Sequence, residues 1–596
     1  MKTAKTTLLK TLPKTTAAAA LAFGAFALQA QTTHTWQPTT GGTYSWEDTA
    51  NWDTSAYPDA YDAGVIISGA LTGAQTISLK SGTNYKLHSL SLGATSGTNA
   101  YTLSGGILDF SGATTPATIT KISNTQNSLS VQEIRIGEQG LTIDVTQHEL
   151  AMTGGTITGT GNLAIQGSIV GSNITTINIS GSVTVGSGNE NNRRTYLGSL
   201  GANVAAVNVN RTSNIINTDV VLQGNNTAFA GDINITKGVL GLYNQNSINN
   251  DAVVLNATGG TAAAALHIRV SGANAMTLAG LNGGATIVRG DTAASAVTLK
   301  GADNYVFDVA TDATTAGRIL ALSVNMATDT ASQTLTGVWN FAGGVTVTKG
   351  KLVAGSENLF NGTNFSLGTL LINGGTFATG VANANLGAAD GGASLDIALT
   401  GGALDINGTD VGTIVLGNAA ATQPLASNFS MSGGTLKITI ADAMNHDKIT
   451  GASNGTCSIT GGTLDLSSST GIVYTSTYEI FHGFGSDSSV SGLTITGYDT
   501  THYLATLDAA GVLSFAANPN IPEPGSLALF AGAFAFAGAF TFVAVRRKRR
   551  SGERTRLACR PGRPAQAFSA EPNRVRRDAE HSTRDACSPR TGSSAK

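Results

Sequence analysis

Residues 231–242 read GDINITKGVLGL, and residues 343–354 read GGVTVTKGKLVA. Set one above the other, Ile233 and Ile235 answer Val345 and Val347, Lys237-Gly238 answers Lys349-Gly350, and Leu240 answers Leu352. Phe229-Ala230 precedes the first copy as Phe341-Ala342 precedes the second, so one unit is used twice, near 224–243 and 339–355. In each copy apolar residues at every second position make a strand with one buried face. The Lys-Gly pair supplies a place where positive φ is cheap, so the chain bends and a second strand starts in shifted phase.

A shorter relative of this unit, a polar residue followed by Gly-Gly and an alternating strand, recurs along the chain. It appears as SGGILDF from Ser104, TGGTITG from Thr153, NGGTFAT from Asn373, TGGALDI from Thr400, SGGTLKI from Ser432 and TGGTLDL from Thr460. Short strands divided by Gly and Asn turns at such intervals predict an all-β chain, a solenoid over residues 31–520 whose rungs stack strand on strand. Tandem β-sandwiches use the same short strands and are the alternative fold. At about 20–30 residues a rung and about 4.8 Å a strand step, this body makes on the order of 20 rungs and roughly 100 Å of length. The aromatic-rich segment 478–515 reads as a terminal cap that shields the last rung.

The composition fits such a chain. Of 596 residues 41% are hydrophobic, enough for a large core, while only 12% are charged and 74 are glycine. Residues 31–520 hold 16 Lys+Arg against 31 Asp+Glu, a balance of 16 − 31 = −15, which repels nucleic acid and speaks against it as a partner. Cys457 stands alone in this body, so no disulfide framework is expected, and a lone cysteine in a strand reads as a small buried hydrophobe.

The positive charge sits at the two ends. Lys2, Lys5, Lys10 and Lys14 precede an apolar stretch from Ala17 to Leu28, the pattern of a signal peptide over residues 1–30 for the Sec translocon, with cleavage after Ala30. Ser526–Val545 is an uncharged run long enough, at about 1.5 Å per residue, to span a bilayer as a single transmembrane helix. Arg546, Arg547, Lys548, Arg549 and Arg550 follow at once and hold that end in the cytoplasm, which places residues 31–520 outside. Just ahead of the run stand Pro522, Glu523 and Pro524; the prolines lack backbone N–H donors and keep the chain extended. Residues 551–596, rich in Arg and without hydrophobic periodicity, read as a disordered tail.

Pro-Glu-Pro, one apolar helix and a basic cluster over residues 521–550 together resemble the PEP-CTERM sorting signal of Gram-negative bacteria. That resemblance implies processing by an exosortase-type membrane enzyme and transfer to the cell surface or medium, often alongside extracellular polysaccharide. The chains of that family usually stop soon after the basic cluster, whereas this one continues to Lys596. NNTAFAGDINITKGVLGL, from Asn225, resembles the autotransporter-associated β-strand repeat; the second copy matches from Phe341 onward but opens with Trp339-Asn340. Residues 43–68, with Trp46, Asn51-Trp52 and Pro58, look like the opening segment of the same proteins. The likeness implies a right-handed parallel β-helix.

Residues with catalytic or metal-binding chemistry are dispersed along the chain. His34, His88, His148, His267, His446, His482, His502 and His581 show no paired spacing, so no metal or cofactor is expected, and each reads as a surface or capping residue. Gly159–Ala164, GTGNLA, matches a dinucleotide fingerprint but lies among turns with no helix to follow. Glu47, Asp48 and Asp53, like Asp405, Asp447 and Asp465, read as turn formers and solvated strand positions.

The reading is therefore an exported surface or matrix protein, structural or adhesive and not an enzyme. A β-helix polysaccharide lyase or glycosidase is the alternative, and would need acids and aromatics gathered on one groove. A type V autotransporter passenger is weaker, since one helix stands where a C-terminal β-barrel would be required.

Overall fold

The chain divides into two units, Met1–Ile521 and Pro522–Lys596. A computed structural model describes residues 31–519, apart from 124, 172–174, 189–192, 213–215, 244, 269–274, 288–294, 312–319, 340, 342, 361–367, 387–394 and 417–425. The signal segment with Ala30, the motif Pro522, Glu523 and Pro524, the span 526–545, the cluster Arg546–Arg550 and the tail 551–596 lie outside the described residues. Among the described residues no helix is long and apolar enough to cross a membrane.

The protein is all-β. Two one-turn 3-10 helices, Thr49–Asn51 and Ile216–Thr218, are the helices among the described residues. Strand after strand pairs in parallel with a later one, because the chain crosses over before it returns to the same sheet. One sheet gathers 28 of these strands, and smaller ones hold nine, four and three.

Alternation along each strand and stacking between strands together build the core. Val65, Leu90, Ile119, Ile143, Ile165, Val185, Val209 and Ile235 are successive register partners. All are buried, and each contributes about 1.5–3 kcal/mol by leaving water. The Gly-Gly units obey the same rule: Thr376, Ala403, Thr435 and Thr463, the first strand residues after four of them, stand in one register column. Their second glycine opens the strand because no other residue fits. Gly402 has φ +71°, and a Cβ there would come 2.0 Å from the carbonyl oxygen of Gly375, one rung earlier.

The two ends of the described body differ from the ladders. At the first, Trp36, Trp46 and Trp52 pack edge to face with centroids 5.0 and 4.8 Å apart. Their indole N–H groups donate to Gln75 Oε1, the Pro58 carbonyl and the Trp46 carbonyl, so these large rings are buried without orphaned donors. At the other, Tyr478–Glu479, Val512–Ala517 and Tyr503–Leu507 form a three-stranded antiparallel sheet. Tyr474 lies flat on Tyr503 there, at 4.0 Å and 6°, and Phe515 meets both Tyr474 and Tyr478 edge-on.

Candidate functional site

Gly159–Ala164 is the turn between strands Thr156–Gly159 and Leu163–Val170, so no helix N-terminus stands there to receive a dinucleotide phosphate. Among the described residues no group of three or more His, Cys, Asp or Glu side chains converges as metal ligands would. The N-terminal acids hold turns and loops: Asp48 accepts from Ala50 N–H, Asp53 from Thr35 N–H, and Glu47 from the Tyr85 hydroxyl. The bond from Thr35 holds the Asp53 carboxyl below its ordinary range. Asp465 accepts from the Ser467 amide and hydroxyl in the same manner.

Asp447 and Asp405 depart from the expected solvated positions. Asp447 is fully buried and bridges two loops, accepting from Gly412 N–H and Thr439 N–H at 2.6 Å each. Burial pushes its carboxyl up to about 7, against the pull of those two N–H groups. Asp405 is also buried, with Lys437 Nζ 3.9 Å from Oδ2 and no partner for Oδ1. Cys457 is buried as expected, which pushes its thiol up to about 12 and makes it a poor nucleophile. The histidines are mixed, since His34, His267 and His446 are buried rather than superficial.

His267 leads to the principal polar cluster. Register stacks Tyr196, Val221, Gly241 and His267 in one column on four successive paired strands. This column faces away from the main core, yet Val221 and His267 are buried, and beside them Val239 and Ala265 make an apolar contact of their own. Gly241 leaves the gap in which the cluster sits: a Cβ there would meet Tyr243 Cε1 at 2.9 Å and Asp219 Oδ2 at 3.2 Å.

Asp219, between the 3-10 turn Ile216–Thr218 and strand Val220–Leu222, is wholly buried at its centre. Its Oδ2 accepts from the Tyr243 hydroxyl at 2.5 Å and lies 2.5 Å from His267 Nδ1. With Tyr243 donating to the carboxylate, His267 carries its proton on Nδ1, which also lies 3.1 Å from the Tyr243 oxygen. Tyr243 meets the imidazole edge to face at 5.1 Å, and burial together with Asp219 raises its phenol well above the ordinary range. Arg194 completes the group. Its guanidinium lies over the Tyr243 ring at 5.4 Å, Nη2 donates to Asn217 Oδ1, and Nε stands 4.0 Å from Asp219 Oδ2.

Nothing in local sequence joins Arg194, Asp219, Tyr243 and His267. The available signal is the run Val239–Leu242 of the first copy, which breaks alternation and so marks a strand segment buried on both faces.

A second polar arrangement runs along the sheet. Asn208, Asn234, Asn256 and Asn282 are register partners at intervals of 26, 22 and 26 residues. Each amide Nδ2 donates to the Oδ1 of the asparagine one rung earlier, at 2.9, 3.1 and 3.3 Å. Asn208 donates onward to Thr184 Oγ1, and Asn282 Oδ1 accepts from Val306 N–H. Only a side chain that donates and accepts at once can repeat itself at strand spacing in this way.

Models of known protein families and curated proteins give no match to this chain.

Proposed function

We propose that this chain is an exported bacterial surface or extracellular-matrix protein, structural or adhesive, whose parallel ladders wind as a right-handed β-helix. The observation that carries the reading is the order at the C-terminus: Pro522-Glu523-Pro524, the apolar run Ser526–Val545, then Arg546–Arg550. That order matches the PEP-CTERM signal, and with the N-terminal signal segment it directs residues 31–520 through the Sec translocon and leaves them outside. An exosortase-type membrane enzyme then acts near Pro524 and passes the body to the surface or medium, where it meets extracellular polysaccharide. The ladders suit this task, since a parallel stack grows by adding rungs and offers a long repeated polar face.

Fractionation of the native host, with mass spectrometry of the mature C-terminus, tests the reading. The expected result is a new terminus near Pro524 in the surface or medium fraction. A chain that retains Lys596 in the inner membrane overturns it.

A further inference from the structure

We propose that Arg194, Asp219 and Tyr243 form a binding site for a neutral sugar residue, with one sugar hydroxyl held between the arginine and the aspartate. The starting point is a pair of orphaned atoms in the outer-face cluster. Asp219 Oδ1 is buried and accepts no hydrogen bond, and Arg194 Nε is buried and donates none. An unsatisfied buried donor or acceptor is costly, and charged groups more so, which makes two in one cluster a request for a ligand.

Their chemistry defines that ligand. Arg194 Nε is only a donor and the Asp219 carboxylate only an acceptor, so the group that satisfies both must accept one bond and donate another. A hydroxyl does this. A phosphate or carboxylate would satisfy the arginine but repel Oδ1, and an ammonium would reverse the fault. The two groups are also close, with Nε 4.0 Å from the sister oxygen Oδ2.

The surroundings favour a sugar over an isolated alcohol. Tyr243 presents a ring face now covered by the Arg194 guanidinium, and Tyr196 stands half-buried in the same register column. The Asp219 side chain is fully enclosed, while that of Arg194 keeps 25% of its surface exposed. Entry is therefore past Arg194, the exposed member of the pair, where a hydroxyl that meets Nε also meets Oδ1 and the C–H side of a pyranose lies toward the half-buried Tyr196. His267 and the Tyr243 hydroxyl hold Oδ2 in place, so the carboxylate is oriented before the sugar arrives.

The proposal stands apart from the export reading, because it concerns binding by the purified chain and not its location. The test is calorimetric titration of the full-length protein, in a detergent without a sugar headgroup, with cellohexaose, laminarihexaose and maltohexaose, and with hexagalacturonate as the anionic comparator. Saturable binding of at least one neutral hexaose, weakened about tenfold or more in both Arg194→Lys and Asp219→Asn, is the expected result. Arg194→Lys keeps the charge but removes Nε, and its melting temperature shows whether the fold is intact; it decides the matter alone if Asp219→Asn does not fold. Absence of binding by every neutral hexaose up to about 10 mM, binding of hexagalacturonate alone, or undiminished binding by folded Arg194→Lys each overturns the proposal and leaves the pair to water.

Discussion

The two copies of the repeated unit follow one sequence pattern and end in different environments. In both, the first arm buries alternate residues, Ile233 and Ile235 in one and Val345 and Val347 in the other. Beyond the Lys-Gly bend they part. Lys351–Ala354 buries only Leu352 and Ala354, whereas Val239, Leu240, Gly241 and Leu242 are all buried. Two substitutions between the copies account for this: Lys351 and Val353 of the second stand where the first has Val239 and Gly241. A lysine keeps its ammonium in water and so keeps that face open, while valine and glycine allow the outer face to be covered and the Asp219 cluster to settle against it. The inward half of the unit specifies the ladder, and the outward half decides what, if anything, is built on it.

This difference can be broken most strongly by importing one copy's outward residue into the other. Val239→Lys is expected to cost roughly 3–5 kcal/mol, since it places an unpaired charge on a covered face. The reverse change, Lys351→Val, is expected to stay within about 0.5 kcal/mol. Denaturant titration of the two variants, followed by hydrogen exchange of the affected rungs, reads both. Leu240→Ala and Leu352→Ala probe the half that the copies share. Each is expected to lose about 2–5 kcal/mol, and a clearly unequal loss would show that the inward halves are not equivalent after all.

A smaller effect belongs to the asparagine ladder, which passes through the first copy at Asn234. Asn234→Ala removes one bond given and one accepted, an expected loss of about 1–3 kcal/mol, with exchange protection falling on strands Ala206–Asn210 and Val254–Ala257 more than at Val345–Lys349. A further effect concerns pH. Asp447 holds its proton to about 7 in the folded chain, against an ordinary carboxyl value of 3.8. Between these values the unfolded chain releases a proton that the folded chain keeps, so the stability this group contributes is present at low pH and declines as pH rises through 7. Melting temperatures at pH 5 and pH 8 should therefore differ less in Asp447→Asn than in the parent.

How far these features were legible in the sequence follows from their range. Alternation and the Gly-Gly openings are local, and they located the strands from Thr376, Ala403, Thr435 and Thr463 that the structure places in one column. The burial of Cys457 followed from its strand context in the same way. The cluster of Arg194, Asp219, Tyr243 and His267 was not legible, because its members are brought together by register across rungs of unequal length. In sequence His267 is one dispersed histidine among several, and only register sets it beside Gly241. Asp447 was misread for a related reason: a turn-like Asn-His-Asp sequence suggests solvent, but its carboxyl turns inward to the amides of Gly412 and Thr439.

The asparagine ladder separates strand alignment from chain length. The separations between Asn208, Asn234, Asn256 and Asn282 are 26, 22 and 26 residues, while the amide contacts remain continuous. A residue added to or removed from a crossover therefore changes the interval without shifting the paired strands, and length can vary outside the sheet while the amide contacts within it stay aligned.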